Sequence, residues 1–212
     1  MLKVLLSALL AVCALGVLRL VYLVSTRGQT RRGPRRSAPC RTLVVLGSGG
    51  HTAEMLALLA GMKLNNYQPR VYVAAEGDDM SVKKAEAFES RQNREADIRR
   101  IPRARKVLQS YVTSVFSTLF SLAYSFPLVC GVWPDLVLCN GPGTCIPLCA
   151  VAFLLKFTGL RNVRLVYVES ICRVKALSLS GKLLYYLADH LVVQWPELQQ
   201  KYPRSSYLGR IL

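Results

Sequence analysis

Residues 42–56, TLVVLGSGGHTAEML, run from a β-branched apolar stretch through a glycine-rich turn straight into an apolar helical pattern. Gly47, Gly49, Gly50 and His51 sit where a buried strand hands over to a helix. This is the first strand–helix turn of a parallel sheet. There glycines let the backbone approach a ligand closely. The open N–H groups of the following helix, with its dipole, favour a phosphate or diphosphate. The turn is not a P-loop, because no G-x-x-x-x-G-K-[ST] is present. It is also an imperfect dinucleotide pattern: with Gly47 and Gly49 as the first two glycines, the third position falls on Thr52. Glu76, after the second strand, is placed for a ribose-binding acid, so a nicotinamide-dependent enzyme stays open as an alternative. His51 reads either as a reacting group or as a hydrogen-bonded residue of the first helical turn.

Outward from this turn, β-branched runs at 70–75, 97–102, 135–140, 163–169 and 190–195 alternate with helical patterns at 52–63, 81–93, 106–126, 144–157, 178–188 and 196–202. Near-continuous apolar strands separated by helices predict a doubly wound, Rossmann-like parallel sheet covered on both faces. Such sheets bind ligands at the carboxyl ends of their strands. Two later turns open onto that same edge. NGPGT (140–144) brings Asn140, Gly141 and Gly143, and ESICRV (169–174) brings Glu169. Glu169 has two readings, a reacting acid in the crevice or a helix-capping acid paired with Arg173.

The N-terminal side is different in kind. Residues 4–18 are apolar and uncharged, and the run from Leu2 to Val24, interrupted by Arg19, is about one bilayer thickness of helix. No convincing small-x-small cleavage site follows it, and the downstream flank is basic, which favours an anchor over a removed signal peptide. Six arginines (27, 31, 32, 35, 36 and 41) follow the span, with only Lys3 before it. The positive-inside rule therefore predicts a cytosolic C-terminal domain. The expected organisation is an anchor at 1–25, a basic linker at 26–41 and the sheet domain at 42–212. Residues 1–41 hold eight basic residues and no acid, half of the formal +16. The chain is too apolar, at 52% hydrophobic, for disorder, and its basicity predicts anionic partners.

Seven cysteines lie mostly in apolar runs, without C-x-x-C spacing, so buried reduced thiols are expected rather than a zinc site. The segment 107–134 carries no charge. Leu108, Val112, Val115, Leu119, Leu122 and Phe126 fall on one helical face, and Ser110, Thr113, Ser117 and Ser121 on another. It is expected to be a core helix, with a helix lying on the membrane surface beside Arg99, Arg100, Arg103, Arg105 and Lys106 as the alternative.

The blocks VVLGSGGHTAEML, IPRARKVLQSY, PDLVLCNGPGTCIP, VYVESICRV, QWPELQQKYP and YLGRIL together resemble one family. They are similar to the membrane-anchor subunits of the UDP-N-acetylglucosamine transferase that performs the second step of dolichol-linked oligosaccharide synthesis. The resemblance implies one half of a split glycosyltransferase of the B type, inactive without a soluble subunit that binds UDP-N-acetylglucosamine. The implied acceptor is N-acetylglucosaminyl-diphosphate-dolichol, on the cytosolic face of the endoplasmic reticulum. No cofactor, metal or nucleic acid is implied. On this reading Gly47, Ser48, Gly49, Gly50, Asn140, Gly141 and Gly143 hold the acceptor diphosphate, and His51 or Glu169 is the base. Tyr207, Leu208 and Ile211 dock on the partner. A weaker similarity reaches the bacterial enzyme that glycosylates the lipid-linked peptidoglycan precursor, where Val168 stands in place of a histidine. A third reading is an anchor that only recruits the soluble subunit.

Overall fold

Seven parallel strands form one sheet in the order β3-β2-β1-β4-β5-β6-β7. The computed structural model describes residues 1–26, 38–105, 109–141 and 143–211. The strands are β1 (Thr42–Val45), β2 (Arg70–Ala75), β3 (Asp97–Ile101), β4 (Leu136–Asn140), β5 (Arg164–Val168), β6 (His190–Val193) and β7 (Ser206–Tyr207). The helices are α1 (Leu2–Thr26), α2 (Gly50–Ala60), α3 (Asp79–Ser90), α4 (Tyr111–Val132), α5 (Cys145–Phe157), α6 (Leu179–Leu184) and α7 (Pro196–Lys201). The expected doubly wound sheet is present, and β1 is its pivot, paired with β2 on one side and β4 on the other. Five of the linker arginines, with Lys106 and Leu108, lie outside the described residues.

Strand β1 is buried on both faces, as its unbroken apolar run requires. Leu43 and Val45 join the core under α5, with Val71, Val73, Val137, Leu148 and Leu165. Val44 and Leu46 join the opposite core, with Met55, Leu59, Tyr72 and Val82 from α2, β2 and α3.

Within that interior lies a charged group. Arg70 donates from Nε and Nη2 to the two carboxylate oxygens of Glu89 at 2.7 and 2.6 Å, and Tyr72 donates its hydroxyl to the same carboxylate. Burial favours the neutral acid, but the hydrogen bonds from Arg70 and Tyr72 outweigh it and hold Glu89 below its ordinary range. A third Arg70 nitrogen donates to the carbonyls of Leu64 and Tyr67, so one guanidinium fastens the β2 entry to α3.

Helix α4 departs from expectation in orientation. Val112, Val115, Phe116, Leu119 and Phe120 point outward, with Val112 74% and Phe116 71% exposed. Ser114, Ser121 and Ser125 are buried instead. Small side chains let α4 lie close to α5, its main neighbour. Ser117 and Thr118 donate to the carbonyl of Ala104, at 2.7 and 3.1 Å. The helix also continues through Pro127 to Val132, because Val129 is fully buried in the core and the packing outweighs one lost backbone bond.

Helix α1 is exposed nearly throughout and is long and apolar enough to cross a membrane; α4 passes the same test less strongly. Arg19, which interrupts the apolar run of α1, donates to the carbonyls of Phe157 and Lys156, both at 3.2 Å. It thereby adds a cationic donor to the last carbonyls of α5.

Replacing Arg70 with Met is expected to cost about 3–5 kcal/mol, since it strands a buried carboxylate. The sign with pH follows from the depressed Glu89. Its folded form binds a proton less tightly than its unfolded form, so the stabilisation is present at neutral pH and lost as pH falls through the lowered titration. Thermal melting across acid pH checks both points: Arg70→Met lowers the neutral-pH midpoint and flattens the acid limb.

Candidate active site

The doubly wound order leaves one break. At the carboxyl ends of β1 and β4 the chain leaves toward opposite faces, and a crevice opens between them. The first turn enters it with Gly49 at φ 65°, a left-handed conformation that favours glycine. The turn is tied from behind. Thr52 donates its hydroxyl to the Gly47 carbonyl, and the Ser81 hydroxyl donates to Asp78 at 2.8 Å. Thr52, at the third-glycine position of a dinucleotide pattern, is therefore a fully buried strut of the turn. Glu76 is exposed and does not line the crevice.

From the other side, β4 ends in Asn140, which is 1% exposed. Its Oδ1 lies 2.8 Å from His51 Nδ1. The next residue, Gly141, has φ 70°, and a Cβ there would stand 2.2 Å from the His51 ring. The imidazole thus lies directly on the Gly141 backbone, and only glycine admits it. With Nδ1 engaged by Asn140, Nε2 is the nitrogen left for a ligand.

These turns border a cavity of about 390 Å³. Ser48 and His51 face it from one side, and Gly141, Gly143 and Thr144 from the other. Arg103, Arg105 and Arg173 add positive charge to its wall. Two helix N-termini, of α2 and α5, flank it, and its wall carries three guanidiniums against the one carboxylate of Asp78, a lining that favours anions. Arg103 and Arg105 come from the loop after β3, the loop whose Ala104 carbonyl is held by α4. Among the described residues no group of three or more metal-ligating side chains comes together.

Glu169 is brought close to this cavity but not into it. It is fully buried, and it does not line the cavity. Its Oε2 accepts from the Ser178 N–H at 2.8 Å and from the Ser178 hydroxyl at 3.0 Å, and its Oε1 from the Ser170 N–H at 3.1 Å. Ser178 in turn caps α6. Gly181 makes room for the carboxylate, since a Cβ there would be 2.5 Å from Oε2. Burial pushes the Glu169 carboxyl above its ordinary range, against those hydrogen bonds. Beneath the same edge Cys139, Cys145 and Cys149 cluster in the core, and burial raises the Cys139 thiol well up. Cys13 and Cys172, by contrast, are exposed.

The tail residues lie at the far side of the sheet. Tyr207 pairs with Val193 as part of β7, and Ile211 packs on the α2–α3 core while its N–H donates to Gln194 at 3.1 Å. Leu208 stands 66% exposed.

Glu54, one turn beyond His51 on α2, was not singled out in the sequence, and neither was Asp78 or Ser170. The i, i+3 spacing of His51 and Glu54 was the available signal. Arg103 and Arg105 were visible only as a basic cluster, although they follow β3 as the glycine turns follow β1 and β4.

The family described as "Oligosaccharide biosynthesis protein Alg14 like" matches residues 42–211. The chain is 51% identical over 205 residues to the UDP-N-acetylglucosamine transferase subunit ALG14 of Mus musculus, covering 91% of this chain and 94% of that one. It is 44% identical to the subunit of the same name from Yarrowia lipolytica, covering 99% of each. Among solved structures, a crystal structure of MurG from Acinetobacter baumannii superposes with a TM-score of 0.58 at 18% identity. That match covers 81% of this chain and 45% of the MurG chain, and it shows the fold.

Gly141→Ala is expected to expel the His51 ring and to cost about 1–3 kcal/mol for the left-handed backbone alone. The imidazole nitrogen NMR signals would lose the Asn140 hydrogen bond, and the melting temperature would fall.

Proposed function

We propose, because this chain belongs to the Alg14-like family of oligosaccharide-biosynthesis proteins, that it is the acceptor-binding, membrane-anchoring subunit of a heteromeric UDP-N-acetylglucosamine transferase. The carrying observation is the cavity between β1 and β4, where His51, two glycine turns and three arginines meet. An acceptor diphosphate lies against the first-turn amides of α2 and α5 and the guanidiniums of Arg103, Arg105 and Arg173. Its sugar then extends toward His51. The acceptor is N-acetylglucosaminyl-diphosphate-dolichol, and UDP-N-acetylglucosamine sits on a soluble partner subunit that closes over the crevice.

The reaction is an inverting displacement. The acceptor 4-hydroxyl attacks the anomeric carbon of the donor, its proton passes to Nε2 of His51, and the bond to the UDP oxygen breaks. A sugar hydroxyl is a poor nucleophile at neutral pH, so a positioned base lowers the barrier as the bond forms. Glu169, buried and held by Ser178 and Ser170, supports the α6 side of the crevice rather than meeting the substrate. The exposed Leu208, next to the docked Tyr207 and Ile211, is part of the partner contact.

Residues 1–25 anchor the chain in the endoplasmic reticulum membrane, 26–41 are a basic linker, and 42–212 form the acceptor domain on the cytosolic side. The apolar outer face of α4 rests on the bilayer surface, close to the loop that carries Arg103 and Arg105. A diphosphate whose lipid stays in the membrane can reach the cavity from there.

Purified chain alone is expected to show no transfer, and chain with the soluble subunit to show full transfer. Gly50→Ala is the informative variant, because an added Cβ at Gly50 would meet no protein atom within 4 Å. Any loss therefore reports an excluded ligand: the acceptor KM rises about ten-fold or more while the donor KM holds, for one lost close contact worth about 1.4 kcal/mol. His51→Ala should lower kcat about 10²–10⁴-fold in a complex that still assembles. Turnover by the isolated chain, or unchanged kcat in His51→Ala, overturns the reading.

Orientation is tested separately. A glycosylation acceptor site inserted between residues 27 and 38 should stay unmodified in cells, because that segment is cytosolic; modification there reverses the topology.

A further inference from the structure

We infer that Glu54 is a positioning residue for His51, holding the ring in the form protonated on Nδ1 so that the bare Nε2 faces the cavity. This rests on the proposed reading of His51 as the base. Asn140 cannot fix that form by itself. A side-chain amide offers a carbonyl oxygen or an NH₂ to the same ring nitrogen with little change of shape, so it accommodates either tautomer. A carboxylate only accepts.

Glu54 supplies that carboxylate from the same helix face. Its Oε2 lies 3.8 Å from His51 Nδ1, an ion-pair separation, and its side chain is 14% exposed. The other oxygen, Oε1, accepts from the Ser170 hydroxyl at 2.8 Å, which holds the group in place across the crevice. Ser170 is itself buried, and its oxygen accepts from the Cys172 N–H at 3.3 Å. Glu54 Oε2 has no hydrogen-bond partner among the described residues although it is buried, and the same holds for Asn140 Nδ2. A buried acceptor without a donor is costly unless one stands nearby. The Nδ1–H of His51, 2.8 Å from Asn140 Oδ1 and 3.8 Å from Glu54 Oε2, brings a donor within electrostatic reach of that oxygen. A bare Nδ1 would turn its lone pair toward the Glu54 carboxylate, which cannot donate to it. When Nε2 takes the acceptor's proton, the ring gains a positive charge and the Glu54 carboxylate becomes its counter-ion. Three turns of the sheet edge, after β1, β4 and β5, thus converge on one imidazole.

The test is Glu54→Gln in the complex with the UDP-N-acetylglucosamine-binding subunit, read by kinetics and by the imidazole nitrogen NMR of this chain. The chain has two histidines, His51 and His190, so a His190→Gln background isolates the His51 signals. In the wild type His51 should be protonated on Nδ1 and bare on Nε2; in Glu54→Gln a population protonated on Nε2 should emerge. The kcat should fall about 10–100-fold, the range for groups that orient a working imidazole. Both KM values should stay within about two-fold. Glu54→Asp should recover part of the kcat, and Glu54→Gln should cost nothing further in a His51→Ala background. An unchanged tautomer overturns the inference, as does wild-type kcat in Glu54→Gln. If His51→Ala keeps full turnover, it is the base assignment that falls, and the NMR result still decides what Glu54 does to the ring.

Discussion

Strand β1 is hydrogen-bonded on both sides to parallel partners, β2 and β4, and this double pairing organises the molecule. A parallel neighbour must be reached by a crossover, and here α2 and α3 cover one face of the sheet while α5 covers the other. Between the ends of β1 and β4 no crossover fills the space. Two helices therefore begin there with their N–H groups pointing into one gap. The remaining parts of the cavity attach to that gap. The loop after β3 adds its arginines, and the segment after β5 adds Arg173. In the proposed transferase an anion and a proton acceptor are needed within one sugar's length of each other, and a single break in the sheet meets both needs.

The two acids buried deepest in the interior are held by donors on their own carboxylates. Glu89 meets Arg70 and Tyr72, and Glu169 meets Ser178 and Ser170. Neither acid touches the cavity. Both act on the scaffold: Glu89 joins β2 to α3, and Glu169 joins the end of β5 to the start of α6. Glu54 differs, because one of its oxygens stays without a hydrogen bond at the cavity edge.

The six long strands and the first turn were legible because each is a local pattern, a β-branched run between helical stretches, with Gly47 closing β1 and Asn140 ending β4. What escaped depends on distant partners. Strand β7 is two residues long and exists only through its pairing with Val192 and Val193. The burial of Glu169 depends on Gly181, twelve positions later in the chain, and no spacing rule points to that residue. In α4 the two faces were visible as periodicities, but periodicity does not say which face turns inward. Here the usual sign reverses, since serines seal the close contact with α5 while phenylalanines remain outside. His51 and Glu54 were recognisable as neighbours on a helix, yet their meeting with Asn140 and Ser170 depends on how the sheet brings three turns together.

Helix α5 has a mechanical consequence. Its first residue follows Thr144 at the cavity wall, and its last two carbonyls are gripped by Arg19 of the apolar N-terminal helix. Thirteen residues make a rod about 20 Å long. A displacement of α1 would therefore bear on the end of α5 opposite Thr144 and Gly143. In the proposed membrane-anchored subunit, the thickness of the bilayer around α1 would bear on the cavity wall through that contact.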